Sequence, residues 1–531
     1  MEGRIRFGKI FSYELKNLKG DLMGGFTTAV VALPLALALG VASGVGAKAG
    51  LYSAIITGIL STLFGGTPAQ VNGPTGAMTV VLIELYEKFG VEALFAAMLV
   101  AGILQILIGA LRLGKYIHLI PQPVIVGFTN GIGFLIFIKM IGYFKTAPII
   151  ASLTIAVMLL FPLATKKLPA SLAALAVGTV AGLLFFPEAE LVGAIPEGLP
   201  RFAFPSFPRE QLADIFQSGF ILAMLGCIES LLASLVVDEM TKTKHHSNRE
   251  LIGQGIGNTV ATLFGSLIGT GAIVRSAVNV NAGGRTRLSG VLHGLILLLI
   301  TLQLSGYASK IPLAVLGGIL MGTAIKMIEY NNTRKLTYAS KKAGAVVIVT
   351  TLLTVVTDLV IAVAAGSLLS MFLFVISMGE VYLKKYELDL TSDRKIASYT
   401  IEGPLFFGVA HAIVSKLEIE AEDADIIILN LMNMPVLDTS GAIGLRNIRQ
   451  NLERNGQELV LAGVKEKSGA ILLRLGIIKE EEYYLFSKRI GEVIEHVRKQ
   501  TGEKKRGNEE GKNPDERERD GKKEENEEKN A

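Results

Sequence analysis

Apolar residues run through most of this chain in long stretches separated by short polar loops rich in Lys and Arg. A helix needs about 20 apolar residues to cross a hydrocarbon core roughly 30 Å thick. The pattern therefore predicts a polytopic α-helical membrane region over residues 21–385, preceded by a polar N-terminal segment, 1–20. About fourteen spans are predicted. In the first half they fall at 22–43, 48–64, 75–86, 92–111, 121–138, 147–162 and 169–186. In the second half they fall at 215–237, 250–264, 271–280, 288–305, 312–328, 343–357 and 359–383. The stretches at 75–86 and 271–280 are too short to cross alone. No small-residue cleavage site follows the first apolar run, so it reads as a span and not as a removed leader.

Loop charge supports this count. With the N-terminus in the cytoplasm, the loops after even-numbered spans should be basic. They carry Arg112 and Lys115; Lys166 and Lys167; Lys242, Lys244 and Arg249; Arg285 and Arg287; Arg334, Lys335, Lys341 and Lys342; and Lys384 and Lys385. The alternate loops are poor in base or acidic, as at Glu188, Glu190 and Glu197. Both termini are thus expected in the cytoplasm, with the chain in the cytoplasmic membrane. Beyond residue 390 the pattern changes. Residues 390–500 mix short buried strands with amphipathic helices, as in a small α/β domain. Residues 501–531 alternate Glu, Lys, Arg, Asn and Gly, which reads as a disordered charged tail.

Composition narrows the function classes. Half of the residues are apolar and 19% are charged, below the roughly 25% of soluble domains. The net charge of +5 averages over unlike parts and gives no reason to expect nucleic acid. Cys227 is the one cysteine, which excludes an intrachain disulfide and a zinc cluster. No phosphate loop and no nucleophile–His–acid set stands out, so an enzyme is not expected and no cofactor is implied.

The halves echo one another. Thr62-Leu63-Phe64-Gly65 recurs as Thr262-Leu263-Phe264-Gly265, and Ile120-Pro121-x-x-Val124-x-x-Gly127 as Ile311-Pro312-x-x-Val315-x-x-Gly318. The matches are in register, with an odd number of spans per half. They suggest an inverted repeat, about 21–190 and 212–385, the architecture of many secondary transporters. After each Thr-Leu-Phe-Gly comes a polar, Gly-rich segment and then a brief apolar run. Paired broken helices in matching positions point to a substrate site. Helix N-termini offer unpaired N–H groups and partial positive charge, which favour an anion. Glycines there could also serve only close helix packing.

Two ionisable residues lie in apolar surroundings, where charge is costly and usually functional. Arg275, near the start of the second broken helix, could supply positive potential to an anion or neutralise a carboxylate. Glu229 lies mid-way along the eighth span and could hold a proton or a sodium ion and couple it to substrate. A purely structural acid, bonded to Arg275 or to a backbone amide, is the plainer alternative. Asp358, at an outer turn, reads as a cap. In the soluble zone Asp438-Thr439-Ser440 precede a helix from about Ala442 to Asn455, where N-capping is the default role.

Together these motifs resemble a prokaryotic sulfate permease family transporter with a C-terminal STAS domain. The membrane likeness rests on Leu33-Pro34 with Gly50-Leu51-Tyr52, on Asn72-Gly73-Pro74-Thr75-Gly76, on Ile228-Glu229-Ser230-Leu231-Leu232 and on Ala272-Ile273-Val274-Arg275-Ser276-Ala277-Val278-Asn279. The STAS likeness rests on Leu437-Asp438-Thr439-Ser440-Gly441. The resemblance implies fourteen spans in two inverted seven-span repeats, a core domain moving against a gate domain, and commonly a homodimer. It implies an anion site between the third and tenth helix tips, here Thr75, Gly76, Ala77, Ala272 and Ile273, with Arg275 close by. It puts the coupling acid at Glu229 and a regulatory STAS serine at Ser440. The stretches 252–258 and 283–290 look most like the sodium-dependent bicarbonate carriers. In those an aspartate, with a threonine one turn later, ligates sodium; here the positions are Glu229 and Ala233. The resulting expectation is an elevator-like carrier of bicarbonate or sulfate, coupled to sodium or protons. Rivals are a membrane sensor that signals to a cytoplasmic partner through its STAS domain, and a nucleobase carrier of the same fold.

Overall fold

A computed structural model describes residues 4–7, 11–165, 168–193, 201–357, 359–378, 382–387, 395–405 and 424–500. The charged tail, Lys166, Lys167, Glu197 and Asp358 lie outside the described residues. The chain divides into two compact units, with the boundary between Ser370 and Met371.

In the first unit, strands Arg4–Phe7 (β1) and Phe11–Glu14 (β2) form a hairpin ahead of the helices. The first half then folds as Leu18–Ala42 (α1), Ala47–Phe64 (α2), Gly76–Ala110 (α3), Gln122–Lys139 (α4), Ile141–Thr146 (α5), Pro148–Ala164 (α6) and Ala170–Phe185 (α7). The second half folds as Leu212–Thr241 (α8), Ser247–Leu263 (α9), Ile273–Asn281 (α10), Arg287–Ala308 (α11), Leu313–Met327 (α12), Tyr330–Ala339 (α13), Lys341–Val356 (α14) and Leu359–Met378 (α15), the last of which contains the boundary between the units. Among the described residues, seven helical stretches are long and apolar enough to cross a membrane, and Pro148–Ala164, Ala170–Phe185 and Arg287–Gln303 are shorter apolar helices. The continuous α3 is broken at Gly90, whose φ of 78° suits glycine. The hydropathy pattern divides at the same place. Two short elements were not expected as separate helices, α5 and the polar α13.

Close packing explains many of the glycines of this unit, because without a strong apolar drive between helices in lipid, backbones must approach closely to gain contact. A Cβ on Gly50 would lie 2.0 Å from the Ala36 carbonyl oxygen, and one on Gly253 would lie 2.4 Å from the Gly65 amide nitrogen.

The second unit carries a four-stranded sheet in the order β5-β6-β7-β8: Tyr382–Glu387 (β5), Ile396–Glu402 (β6), Ile426–Asn430 (β7) and Glu458–Ala462 (β8). The β5–β6 pair is antiparallel, and β6–β7 and β7–β8 are parallel. Strand β5 starts inside the stretch read as the end of the last span. The correction has a plain cause: after Met378 the apolar run yields to Tyr382-Leu383-Lys384-Lys385-Tyr386-Glu387, in which buried Leu383 precedes two exposed lysines. Helices Thr439–Arg454 (α16), Glu466–Arg474 (α17), Glu480–Phe486 (α18) and Ile490–Gln500 (α19) complete this unit. Its core is the apolar run Ile426–Leu429 packed with Leu445, Ile448, Leu472 and Val493.

Candidate anion site at two crossed helix tips

Between α2 and α3, and again between α9 and α10, the chain leaves the helix and then re-enters it. Residues Asn72–Gly73 form strand β3, Thr270–Gly271 form β4, and the two pair antiparallel. In register, Asn72 faces Gly271 and Gly73 faces Thr270. The Ala272 amide extends the pair by donating to the Val71 carbonyl at 2.9 Å. Helices α3 and α10 begin immediately after this pair, so their N-termini converge. Glycine is what permits the crossing: a Cβ on Gly269 would lie 2.6 Å from the Gly73 carbonyl, and one on Gly271 would lie 2.1 Å from Gln70 Nε2.

Both tips start without a capping side chain. The N-cap residues are Thr75 and Ala272, and neither makes a side-chain cap hydrogen bond. The first helical bonds at these N-caps are Thr79 N to Thr75 O and Ser276 N to Ala272 O. The preceding first-turn amides, on Gly76 to Met78 and Ile273 to Arg275, are therefore orphan donors beside a partial positive charge. Ala77 and Ala272 are buried, Gly76 is half-buried, and Ile273 is exposed. A Cβ on Gly76 would meet Ile136 Cδ1 of α4. Gly76, Ala77 and Ala272 add little side-chain bulk at the tips, whereas the exposed Ile273 side chain stands beside the second.

The Thr75 hydroxyl turns away from its own helix and donates to Glu229 Oε2 at 2.7 Å, while Thr270 donates to the same oxygen at 2.9 Å. The two hydroxyl oxygens are 3.2 Å apart. Glu229 is half-buried, and among the described residues its Oε1 has no partner. Position 233, one turn along α8, is a buried alanine packed against Gly271. Hydroxyls next to the acid therefore come from Thr75 and Thr270, one from each half, and not from the neighbouring turn of α8.

Arg275 comes to the same crossing but its side chain points inward. It is 3% exposed, and Nη2 donates to the Pro74 carbonyl at 2.8 Å. Nη1 has no hydrogen-bond partner, and among the described residues Arg275 and Glu229 form no direct ion pair. The guanidinium thus ties α10 to the residue that precedes Thr75.

Sequence reasoning missed the group that holds the crossing from behind. Glu250 of α9 is 1% exposed and accepts from Gly66 N at 2.8 Å, Thr67 N at 2.9 Å, Gln70 Nε2 at 2.8 Å and Gln254 Nε2 at 2.9 Å. Asn72 joins the network through Gln254 Nε2 and donates to Thr62 Oγ1. Asn258 accepts from Gly269 N at 2.7 Å, and Asn279 donates to Ala69 O at 2.9 Å. The available signal was an acid opening the run of Gly, Gln and Asn at 253–258, which an apolar helix does not need.

Sequence reasoning also passed over a bonded acid–His–Ser chain at the turn between α8 and α9. Asp238 Oδ2 lies 2.7 Å from His245 Nδ1, and His245 Nε2 lies 2.9 Å from Ser247 Oγ. Gly114 covers this serine, because a Cβ there would come within 3.1 Å of Ser247 Cβ. The chain of bonds fixes the turn between α8 and α9. Ser440, in the second unit, is exposed near the start of α16, where Asp438 accepts from Gly441 N at 2.7 Å and caps the helix.

Comparison with known proteins assigns both units. The sulfate permease family matches residues 18–153 and 144–351, and the STAS domain matches residues 387–492. The chain is 35% identical over 512 residues to the "Putative sulfate transporter YvdB" of Bacillus subtilis, covering 89% of this chain and 97% of that one. It is 34% identical over 516 residues to the "Bicarbonate transporter BicA" of Synechocystis sp., covering 87% and 91%. Among solved structures, the transmembrane domain of a cyanobacterial bicarbonate transporter BicA superposes with a TM-score of 0.62 at 38% identity, covering 66% of this chain and 98% of that one. The murine anion transporter Slc26a9 shares the fold, with a TM-score of 0.78 at 17% identity over 92% of both chains. Motifs, crossed helix tips and whole-chain similarity agree that this multi-pass membrane protein belongs to the sulfate permease family and carries a C-terminal STAS domain.

Proposed function

We propose that the protein is a secondary active transporter that carries a small inorganic anion, bicarbonate or sulfate, across the cytoplasmic membrane. The observation that carries this reading is the convergence of two uncapped helix N-termini around Thr75, Thr270 and Glu229. Relatives named as sulfate and bicarbonate transporters support the choice of cargo. Oxygen atoms of the anion accept from the free amides of Gly76 to Met78 and Ile273 to Arg275, with the buried Arg275 adding positive potential from behind.

Coupling follows from placing a carboxylate in the same pocket as an anion. Two unit charges 4 Å apart interact by about 4 kcal/mol at an effective dielectric constant of 20. An ionised Glu229 therefore opposes binding until a proton or a sodium ion offsets its charge. For sodium, Glu229 Oε1 and the hydroxyl oxygens of Thr75 and Thr270 are the oxygen donors at hand. Because β3–β4 joins both tips, they move as one body, which suits an elevator motion of the core against α4–α7 and α12–α15. Fourteen spans in two inverted halves, cytoplasmic termini and a homodimer complete the reading.

Reconstituted protein is to be assayed for uptake of labelled bicarbonate and sulfate under separate sodium and proton gradients. Uptake of one anion, driven by one gradient, is expected; uptake of neither defeats the proposal. In Glu229→Gln the gradient dependence should disappear, and its persistence would remove Glu229 from coupling.

A further inference from the structure

Helix α13 sits between α12 and α14, and no residue in it is buried. Thr333 and Leu336, one turn apart, are half-buried and form its protein-facing side. Asn130 of α4 pins that side, donating to Thr333 Oγ1 at 2.9 Å and accepting from Glu329 N at 2.7 Å. Facing away are Arg334, Lys335 and Tyr338, continued by Lys341 and Lys342, all exposed. Tyr338 is 95% exposed. Among the described residues none of the four cations has a hydrogen-bond or ion-pair partner. The adjacent acid Glu329 is engaged by Asn332 at 2.7 Å.

The matching helix of the first half lacks this character. Helix α5 carries one cation, Lys145, and the preceding Lys139 lies 3.4 Å from Glu87. Shared architecture therefore requires a short helix here but not a basic one. Helix α13 also lies where apolar spans end, since α14 turns apolar directly after Lys341 and Lys342. Tyrosines and basic side chains without acids, at the rim of apolar helices, fit a membrane interface that carries negative headgroups.

We propose that the face formed by Arg334, Lys335, Tyr338, Lys341 and Lys342 binds the anionic headgroup of a membrane phospholipid. The cations meet its phosphate and the tyrosine lies against the glycerol and upper acyl region. This site is independent of which anion the protein carries.

The chain has no tryptophan, so Tyr338→Trp introduces a single indole reporter at an exposed position, with Tyr330→Trp as a second. The full-length variants are placed in phosphatidylcholine vesicles with equal small fractions of brominated phosphatidylglycerol or brominated phosphatidylcholine. Quenching by the anionic lipid should exceed that by the neutral one roughly threefold at low salt and fall towards parity at about 0.5 M salt. The excess should vanish when Arg334→Gln, Lys335→Gln, Lys341→Gln and Lys342→Gln are combined. Equal quenching by both lipids would overturn the proposal. So would an excess that survives the fourfold substitution, or the absence of quenching by either lipid, which would mean that a protein surface covers the helix.

Discussion

Glu250 in the membrane unit and Glu482 in the STAS domain are the same side chain in opposite surroundings. Glu250 is 1% exposed and satisfies its carboxylate with two backbone amides and two side-chain amides. Glu482 lies near the surface of its unit and pairs with Arg449 at 2.8 Å. The contrast extends to the folds. In the first unit uncharged polar groups such as Gln70, Asn72, Gln254 and Asn258 are buried among apolar side chains, while Leu163, Phe185 and Val356 are exposed. In the STAS domain the interior is Ile426–Leu429 and its apolar partners. Burying a polar group is unfavourable unless it is hydrogen-bonded, so the polar interior of the membrane unit marks the place where special geometry is built. The STAS domain buries only a few small polar groups, such as Ser398, Thr400 and Asn430, and keeps its charged pairs nearer the surface, where each contributes little.

This difference predicts a graded set of effects. Glu250→Leu should be the most severe, because four buried donors lose their acceptor at about 1–3 kcal/mol each. Little monodisperse protein should be recovered after detergent extraction. Normal recovery would show that the network does not hold the crossing. Arg275→Met should fold yet reduce uptake by about 10- to 100-fold, since the tie from α10 to Pro74 is lost and an error in site geometry can cost about 100-fold. Arg275→Lys should restore part of the rate if the carbonyl tie matters.

In the STAS domain the effects should be smaller. Asp438→Ala removes an N-cap at a cost of about 1 kcal/mol, read as faster hydrogen exchange in α16 of the full-length protein with uptake unchanged. Glu482→Gln should be smallest, about 0–1 kcal/mol for a pair of this exposure. Burial raises the Glu482 carboxyl, but the bonds from Arg449 and the Lys479 amide outweigh this and hold it below its ordinary value. Stability from a depressed carboxyl is present above the unfolded pKa of about 4.3 and is lost as pH falls through the folded value. The difference between wild type and Glu482→Gln should therefore be present at pH 7 and fade below about pH 4. A constant difference across that range would assign it to packing.

Much of the membrane fold was legible, because the longer helices announce themselves by length and apolarity. The predicted interruptions at 65–74 and 265–270 fall where α2 and α9 stop, with α3 and α10 resuming one or two residues later than expected, and the division between 86 and 92 is where Gly90 breaks α3. Glu229 stood out because an acid in an apolar run has few bland explanations. What stayed hidden depends on partners distant in sequence. Glu250 follows a loop rich in polar and charged residues, where another acid is unremarkable, and its role appears only when Gly66 and Thr67 arrive from the other half. The bonded set of Asp238, His245 and Ser247 needs a turn whose shape spacing alone does not give. The inward direction of Arg275 could not be read either, since periodicity places a side chain on a face but not against a particular carbonyl.

The β3–β4 pair has a consequence for inheritance. Each half of the chain supplies one edge of a two-stranded closure and one of the two threonines at Glu229, so neither half can complete the crossing by itself. If the polypeptide were cut between its halves, the pieces would have to be made together, in equal amounts and in one bilayer, for the crossing to form. A single reading frame guarantees that stoichiometry.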